Sequence, residues 1–171
     1  PSLTIGDVEL PRGAALVIGG DTAYPVADHA TLISRVRAPF VWARRQLAAD
    51  GRLDPGTVPM LGIPGNHDYY NVLHGHVRQF RVPSEKLTTP GVAPALPRFD
   101  LPGFAPRQDA SYFALLLPHG WQLWALDVEM KKLDERQRAY FLDVARRFPT
   151  DRRIVVTSQP TFVYHARSER A

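Results

Sequence analysis

The chain has 171 residues, of which 44% are hydrophobic and 22% charged, an ordinary composition for one globular domain with a substantial core. It has no cysteine, which excludes disulfides and thiolate metal sites, so a metal would need His, Asp, Glu or Asn ligands. No apolar run approaches the roughly 20 residues of a membrane-spanning helix, so we expect a soluble domain, cytoplasmic by default. Because the chain starts at Pro1, without an initiator Met or a signal peptide, we expect a piece of a longer protein.

The net charge of +4 is concentrated near the end of the chain. Residues 1–130 carry 11 basic and 12 acidic side chains (net −1), whereas residues 131–171 carry 10 and 5 (net +5). Such a basic end suits a solvated helix face or a phosphate-bearing partner. Basic and aromatic residues form no interleaved array, so nucleic-acid binding is the weaker interpretation.

The first predicted elements are a strand and a long helix. Residues 14–18 form an apolar run that ends in Gly-Gly-Asp, which is typical of a buried strand, here expected to be parallel. Asp28 is a plausible N-cap, Pro39 should break or kink the helix near Ala38 or start a second one, and Gly51 should end it. Apolar residues recur between these points at the helical steps of three and four: Ile33, Val36, Phe40, Ala43 and Leu47.

A second strand and a second helix follow. Residues 58–63 are the predicted strand, and the spacing of apolar residues from Leu73 to Phe80 predicts a short amphipathic helix. The order strand, helix, strand, helix favours parallel pairing of the two strands. In open α/β sheets ligands bind outside the carboxyl ends of the strands, and both predicted strands end in a polar loop there. We therefore expect these two loops to share one site.

The second half begins with a proline-rich segment, residues 83–109, predicted to be irregular. Its apolar residues, among them Leu96, Phe99, Leu101 and Phe104, suggest a surface loop that packs onto the fold, with a lid or disorder as the alternatives.

Three further elements are predicted after this segment. The apolar runs 111–117 and 121–126 flank a turn and predict a β-hairpin. Asp134 and Gln137 have the spacing of a capping box at the start of a helix. We expect Phe141, Val144 and Phe148 to form the buried stripe of that helix, and residues 153–157 to form a last strand.

The two polar loops carry residues suited to metal-dependent chemistry. A carboxylate after two glycines, as at Asp21, can bridge two hard cations, and Asn66 can offer a neutral carbonyl oxygen to one of them. His67 can protonate a leaving-group oxygen, and Asp68 can orient its ring and raise its pKa. The other histidines, His29, His74, His76 and His119, show no paired spacing and are interpreted as surface or packing residues.

These motifs resemble those of the calcineurin-like metallophosphoesterases. Gly20-Asp21-x-x-Tyr24 and Gly65-Asn66-His67-Asp68 match the second and third family motifs. A bacterial subgroup has further elements that this chain resembles over most of residues 14–165: Asp68-Tyr69-Tyr70, Ser111-Tyr112-Phe113-Ala114 and Leu117-Pro118-His119-Gly120-Trp121.

The resemblance implies a fold, an activity and a set of site residues. It implies an α/β fold, a two-sheet sandwich flanked by helices (αββα), with a dinuclear site of Mn, Fe or Zn at the sheet edges. It implies hydrolysis of a phosphomonoester or phosphodiester by metal-activated hydroxide, with Asp21 and Asn66 as metal ligands and His67 as the catalytic acid. The implied partner is a small-molecule phosphoester, and subgroup members often carry membrane segments outside this domain.

The chain also departs from the family pattern. No Asp-x-His precedes Asp21, and the last motif, Gly-His-x-His, would lie after Ala171, so we expect a single partial domain, residues 1–171. Ser158 stands where the fourth motif has a His ligand, and Gln159 or His165 would compensate only in part. Two oxygen ligands fall short of a dinuclear site, so we expect weak or no metal binding and no activity from this segment alone. A non-catalytic binding or regulatory module is the alternative.

Overall fold

The computed structural model describes residues 2–81, 99–129 and 133–159, without the side chain of Leu3. Its strands and helices are, in chain order, β1 (Ser2–Ile5), β2 (Val8–Pro11), β3 (Leu16–Ile18), α1 (His29–Leu32), α2 (Ala38–Ala49), β4 (Val58–Gly62), α3 (Asn66–Tyr69), α4 (His74–Phe80), β5 (Phe104–Pro106), β6 (Phe113–Leu116), β7 (Gln122–Leu126), α5 (Glu135–Arg147) and β8 (Arg153–Thr157). The strands form the antiparallel hairpin β1-β2, a first sheet in the order β3-β4-β5 and a second sheet in the order β6-β7-β8. The predicted α/β class is confirmed.

The first sheet is parallel throughout, as predicted for its first two strands. Alternate side chains point to opposite faces of a strand, and here the two faces belong to different cores. On one face, Met60 packs with Leu16 and Ile18 in a cluster that includes Leu32 and Phe80 from the helices. The opposite face carries Val17 and Leu61, which pack towards the second sheet.

The first predicted helix forms, and Pro39 lies at the start of a second helix that a wider turn joins to the first. Asp28 caps α1, and its carboxylate accepts a hydrogen bond from the Thr31 amide at 2.7 Å. A π-helical segment, Ile33–Arg37, joins α1 to α2, and the Ala38 N–H donates to the Ile33 carbonyl across the wider turn. Because proline lacks an N–H and its ring clashes with the carbonyl four residues earlier, the wider turn relieves that clash. The second helix starts at Ala38, as the sequence predicts, and Gly51 follows its end.

The second sheet contains the predicted hairpin and the predicted last strand. β6 and β7 are antiparallel, and β8 lies parallel to β7. One face of this sheet completes the core shared with the first sheet, in which Phe113 and Ala125 pack with Leu61 and Ile63. Its other face meets α5, where the Trp124 and Phe141 rings are 5.0 Å apart.

Helix α5 has its predicted cap, but one residue of its predicted buried stripe is exposed. Asp134 caps the helix by accepting from the Gln137 amide at 2.9 Å, as predicted. Phe141 is buried, but Phe148 is 41% exposed because it lies beyond the last helical turn with φ −132°, off the buried stripe. At least one basic side chain near the end of the chain makes a contact within the fold, since the Arg153 guanidinium lies 4.9 Å from the Trp124 ring.

The described part of the proline-rich segment, residues 99–109, is more regular than the sequence predicts. β5 pairs with β4 at the edge of the first sheet, where Pro106 is tolerated because one side of an edge strand needs no donor. Phe99 and Leu101 are buried, so these apolar residues do pack onto the fold as expected. Residues 82–98, including Leu96, lie outside the described residues. Over the residues described, no helix has the length and apolarity to cross a membrane.

Candidate active site at the strand ends

The two loops predicted to share a site lie against each other. The Ile63 amide donates to the Ile18 carbonyl at 3.0 Å, which holds the carboxyl ends of β3 and β4 side by side. Gly20 adopts φ 108°, and a Cβ on Gly65 would overlap the Asp21 carboxylate, with Cγ only 2.7 Å away. Glycine is therefore required at Gly65 for this close approach.

Asp68 links the two loops. Its side chain is fully buried, and Oδ2 accepts hydrogen bonds from the Asp21 amide at 2.8 Å and the Gly65 amide at 2.9 Å. Burial raises the pKa of Asp68, although both amide donors oppose that rise. The carboxylate thus fixes backbone position, whereas the sequence suggested that it orients the imidazole of His67.

Asp21 receives hydrogen bonds on both carboxylate oxygens. The His67 amide donates to Oδ1 at 2.9 Å, and the Tyr24 hydroxyl donates to Oδ2 at 2.8 Å. The hydrogen bond to Asp21 is the main reason that the pKa of Tyr24 is raised. Asp21 itself has φ 47°, an uncommon value for a residue with a side chain. The loops therefore bring together Asp21, Asn66, His67 and Asp68, the four residues singled out in the sequence.

The orientation of the His67 ring is set by a backbone carbonyl. Nδ1 lies at hydrogen-bond distance from the Pro25 oxygen. Because a carbonyl oxygen can only accept, Nδ1 must carry the hydrogen, and Nε2 is the nitrogen left for other chemistry. The His67 ring contacts those of Tyr24 and Tyr70, with centroid distances of 4.2 and 4.8 Å, and Asn66 Nδ2 donates to the Tyr70 hydroxyl at 3.1 Å.

The second sheet contributes Asp127, which the sequence analysis did not single out. The Tyr69 hydroxyl donates to both carboxylate oxygens of Asp127, at 2.9 and 3.1 Å, and so ties α3 to the end of β7. Burial and the neighbouring Asp127 raise the pKa of Tyr69. Gln137 also bonds to Asp127. Its Oε1 accepts from the Asp127 amide at 2.9 Å, and its Nε2 donates to the Asp127 carbonyl at 3.0 Å.

Glu129 is the second residue missed, and it lies beside Ser158. The Ser158 hydroxyl donates to Glu129 Oε1 at 3.2 Å, and Gln159 Nε2 donates to the same oxygen at 2.9 Å. A Cβ on Gly20 would be 3.0 Å from the Ser158 Cβ, so this pair adjoins the Asp21 loop. Their position in the chain was the sequence signal that could have identified Asp127 and Glu129. Both follow β7, which is parallel to β8, so the two strands end at the same sheet edge.

Asp21 and Asn66 carry side-chain oxygens of the kind that hard cations bind. A carboxylate oxygen that accepts one hydrogen bond keeps a second lone pair, so both oxygens of Asp21 could still bind a cation. Among the described residues, however, no three His, Asp or Glu side chains are grouped closely enough to hold a metal. Asp21 and Asn66 suit a hard cation but do not complete its coordination, and His165 lies outside the described residues.

The other described histidines, His29, His74, His76 and His119, are not part of this arrangement. His74 and His119 are exposed, and His29 is half-buried. His76 is 1% exposed, its ring lies 4.9 Å from that of Phe80, and neither ring nitrogen has a hydrogen-bond partner among the described residues. Burial, with a smaller contribution from Arg81, lowers the pKa of His76 to about 4.

Comparison of the chain with protein-family models, with curated proteins and with solved structures finds no match. Any function proposed for the chain therefore rests on its own residues and their geometry.

Proposed function

We propose that this chain is part of a calcineurin-like metallophosphoesterase domain, and that the full-length protein hydrolyses phosphomonoesters or phosphodiesters with the help of bound divalent metal ions. The observation that carries the proposal is the joining of the Gly-Asp loop and the Gly-Asn-His-Asp loop through Asp68, which accepts from both. The layers support it as well: two sheets share one core, and helices pack on their outer faces, as in an αββα sandwich.

In this proposal Asp21 and Asn66 would hold metal. The Asn66 amide nitrogen is engaged by Tyr70, which leaves the carbonyl oxygen as the ligand atom. Bound divalent ions would neutralise the phosphate charge and lower the pKa of a water molecule. Asp21 and Asn66 are too few for a dinuclear centre, so further ligands must come from residues other than those described here.

His67 is proposed to protonate the leaving-group oxygen. Its Nδ1–H stays on the Pro25 carbonyl, so the proton that is transferred is the one on Nε2 of the imidazolium. When Nε2 gives up this proton, the neutral ring keeps its Nδ1–H and its hydrogen bond, so the ring does not have to reorient. A positioned general acid typically contributes about 10²–10⁴-fold to a rate.

The test is phosphate release from a generic aryl phosphate by the full-length protein with Mn²⁺. We expect His67→Ala and Asp21→Ala each to lower kcat/KM by about 100-fold or more. His74→Ala is the matched control, since His74 is exposed on the neighbouring helix α4, and it should leave the rate unchanged. Absence of hydrolysis with Mn²⁺, Zn²⁺ and Mg²⁺ alike would remove the proposal.

The alternative is a non-catalytic module that keeps the fold for binding or regulation. It is favoured by Ser158, whose hydroxyl is engaged by Glu129 where the family has an imidazole ligand. Calorimetric titration of the full-length protein with Mn²⁺, Zn²⁺ and Mg²⁺ separates the two. Tight binding that Asp21→Ala abolishes supports the enzyme, and the lack of tight binding of any of these ions supports the module.

A further inference from the structure

Two exposed tyrosines contact the candidate catalytic imidazole. Tyr24 is 52% exposed and Tyr70 is 60% exposed, yet both rings contact His67, at centroid distances of 4.2 and 4.8 Å. We call these three rings the aromatic ridge. It places two exposed aromatic side chains in contact with the ring proposed to deliver a proton.

The tyrosine rings of the ridge are held in place by their hydroxyl groups. The Tyr24 hydroxyl donates to Asp21 at 2.8 Å, and the Tyr70 hydroxyl accepts from Asn66 at 3.1 Å. An exposed aromatic side chain is normally free to change rotamer, but here each is anchored to a residue of the site. Rigid, amphipathic tyrosines lose little entropy when they contact a ligand, which is why binding surfaces are enriched in them.

The ridge also has a defined position relative to the reaction. His67 Nδ1 is occupied by the Pro25 carbonyl, so a leaving-group oxygen must meet Nε2. The body of the alcohol attached to that oxygen then lies close to His67 and to the two tyrosine rings that contact it. We propose that Tyr24 and Tyr70 bind the leaving group by stacking, so that the site selects phosphoesters whose alcohol carries a planar aromatic ring. This inference rests on the proposed function and names its substrate class.

The test compares two ligands that cannot be hydrolysed at the scissile position. Benzylphosphonate carries a CH₂ group in place of the ester oxygen of an aryl phosphate, and cyclohexylmethylphosphonate has the same charge and a similar apolar area without an aromatic face. Stacking of an aromatic group on an aromatic side chain is worth enough for a preference of about tenfold. We expect that preference for benzylphosphonate in calorimetric titrations of the full-length protein with Mn²⁺.

Substitutions show whether the preference for benzylphosphonate comes from the aromatic ridge. The double variant Tyr24→Ala/Tyr70→Ala should bring the ratio of the two affinities close to one, whereas Tyr24→Phe/Tyr70→Phe, which keeps both rings, should preserve it. Trp42→Ala is the matched control, because Trp42 is an aromatic side chain of α2 that is 65% exposed and outside the ridge. Equal affinities in the unaltered protein, a preference that survives the loss of both tyrosine rings, or no saturable binding of benzylphosphonate would each overturn the inference.

The outcome is distinguishable from a failure of the proposed function. A ring-dependent preference in a protein that hydrolyses no phosphoester would support the aromatic ridge and contradict the phosphoesterase. Hydrolysis of phosphoesters without a ring-dependent preference would do the reverse.

Discussion

The carboxyl ends of the two sheets meet at one edge of the molecule, but they hold their acidic residues in different ways. At the end of the first sheet, Asp68 is buried and its partners are the backbone amides of Asp21 and Gly65. At the end of the second sheet, Asp127 and Glu129 are half-buried, and their carboxylates bond the side chains of Tyr69, Ser158 and Gln159.

Because of this difference, we expect the end of the first sheet to be the rigid part of the site and the end of the second sheet to be the adaptable part. Backbone donors cannot be moved or replaced by substitution, so the first sheet's end is fixed by the chain path itself. Side-chain donors can be exchanged, and half-buried carboxylates can turn to water when a partner is lost. We therefore expect the first sheet's end to be intolerant of small changes, and the second sheet's end to accept them.

The largest effect is expected at the contact between the two loops of the first sheet. Gly65→Ala places a methyl group 2.7 Å from both the Asp21 Cγ and its amide nitrogen, so the loops must separate. We expect a loss of about 4 kcal/mol in the free energy of unfolding. Gly19→Ala is the control in the same region, because its Cβ would meet only Val156 at 3.8 Å. Equal stability of the two variants in denaturant titrations would show that the loops are not held this closely.

The next effect compares the carboxylates of the two ends directly. Asp68→Ala leaves the Asp21 and Gly65 amides without their acceptor inside the protein, and we expect a loss of about 3 kcal/mol in unfolding free energy. Glu129→Ala removes an acceptor of the Ser158 and Gln159 side chains, which are half-buried and can bond to water instead. We expect a loss of about 1 kcal/mol or less in unfolding free energy. If Glu129→Ala were the more destabilising change in urea unfolding, the distinction between the two ends would be wrong.

The third effect is a loss of folding stability in acid, caused by the buried His76 side chain. The pKa of His76 is lowered by burial from 6.5 to about 4, so the unfolded chain takes up a proton at a pH where the folded protein does not. Stability is therefore fully present above pH 6.5 and falls as the pH drops from 6.5 towards 4. We expect the unfolding free energy to be about 2 kcal/mol lower at pH 5 than at pH 7 from this group.

Replacing the imidazole tests this assignment. His76→Leu, which fills the buried position without a titrating group, should remove most of that pH dependence in thermal or denaturant unfolding. His74→Leu should leave it in place, since the His74 side chain is exposed on the same helix. An unchanged pH dependence in His76→Leu would place the acid sensitivity elsewhere.

The first sheet's end was predictable because its information is local. Each loop follows a short apolar strand, and its glycines and polar residues are consecutive in the sequence. Parallel pairing of β3 and β4 then brings Asp21 to Gly65 without further information. The orientation of the His67 ring was not predictable, because its partner is the carbonyl of Pro25, and every residue carries a carbonyl.

The second sheet's end depends on contacts between residues distant in sequence. Glu129 meets Ser158 only because β8 lies parallel to β7, and the hairpin and the last strand were predicted separately, without their pairing. Gln137 shows the same limit: its spacing from Asp134 predicted a capping box, but its side chain bonds the backbone of Asp127. β5 was not predicted because the prolines of residues 83–109 indicate an irregular segment, whereas an edge strand needs hydrogen-bond donors on one side only.

The proposed transfer of a proton from His67 Nε2 can be tested most directly with leaving groups of different basicity. The effect of His67→Ala on the rate should depend on how much the leaving group needs that proton. With Mn²⁺ and the full-length protein, kcat/KM would be measured for phenyl phosphate and for dinitrophenyl phosphate, before and after His67→Ala. An alcohol that leaves readily as its anion needs no acid, so the substitution should slow the dinitrophenyl ester little and the phenyl ester about 100-fold. An equal loss for both esters would contradict the role of His67 as the acid.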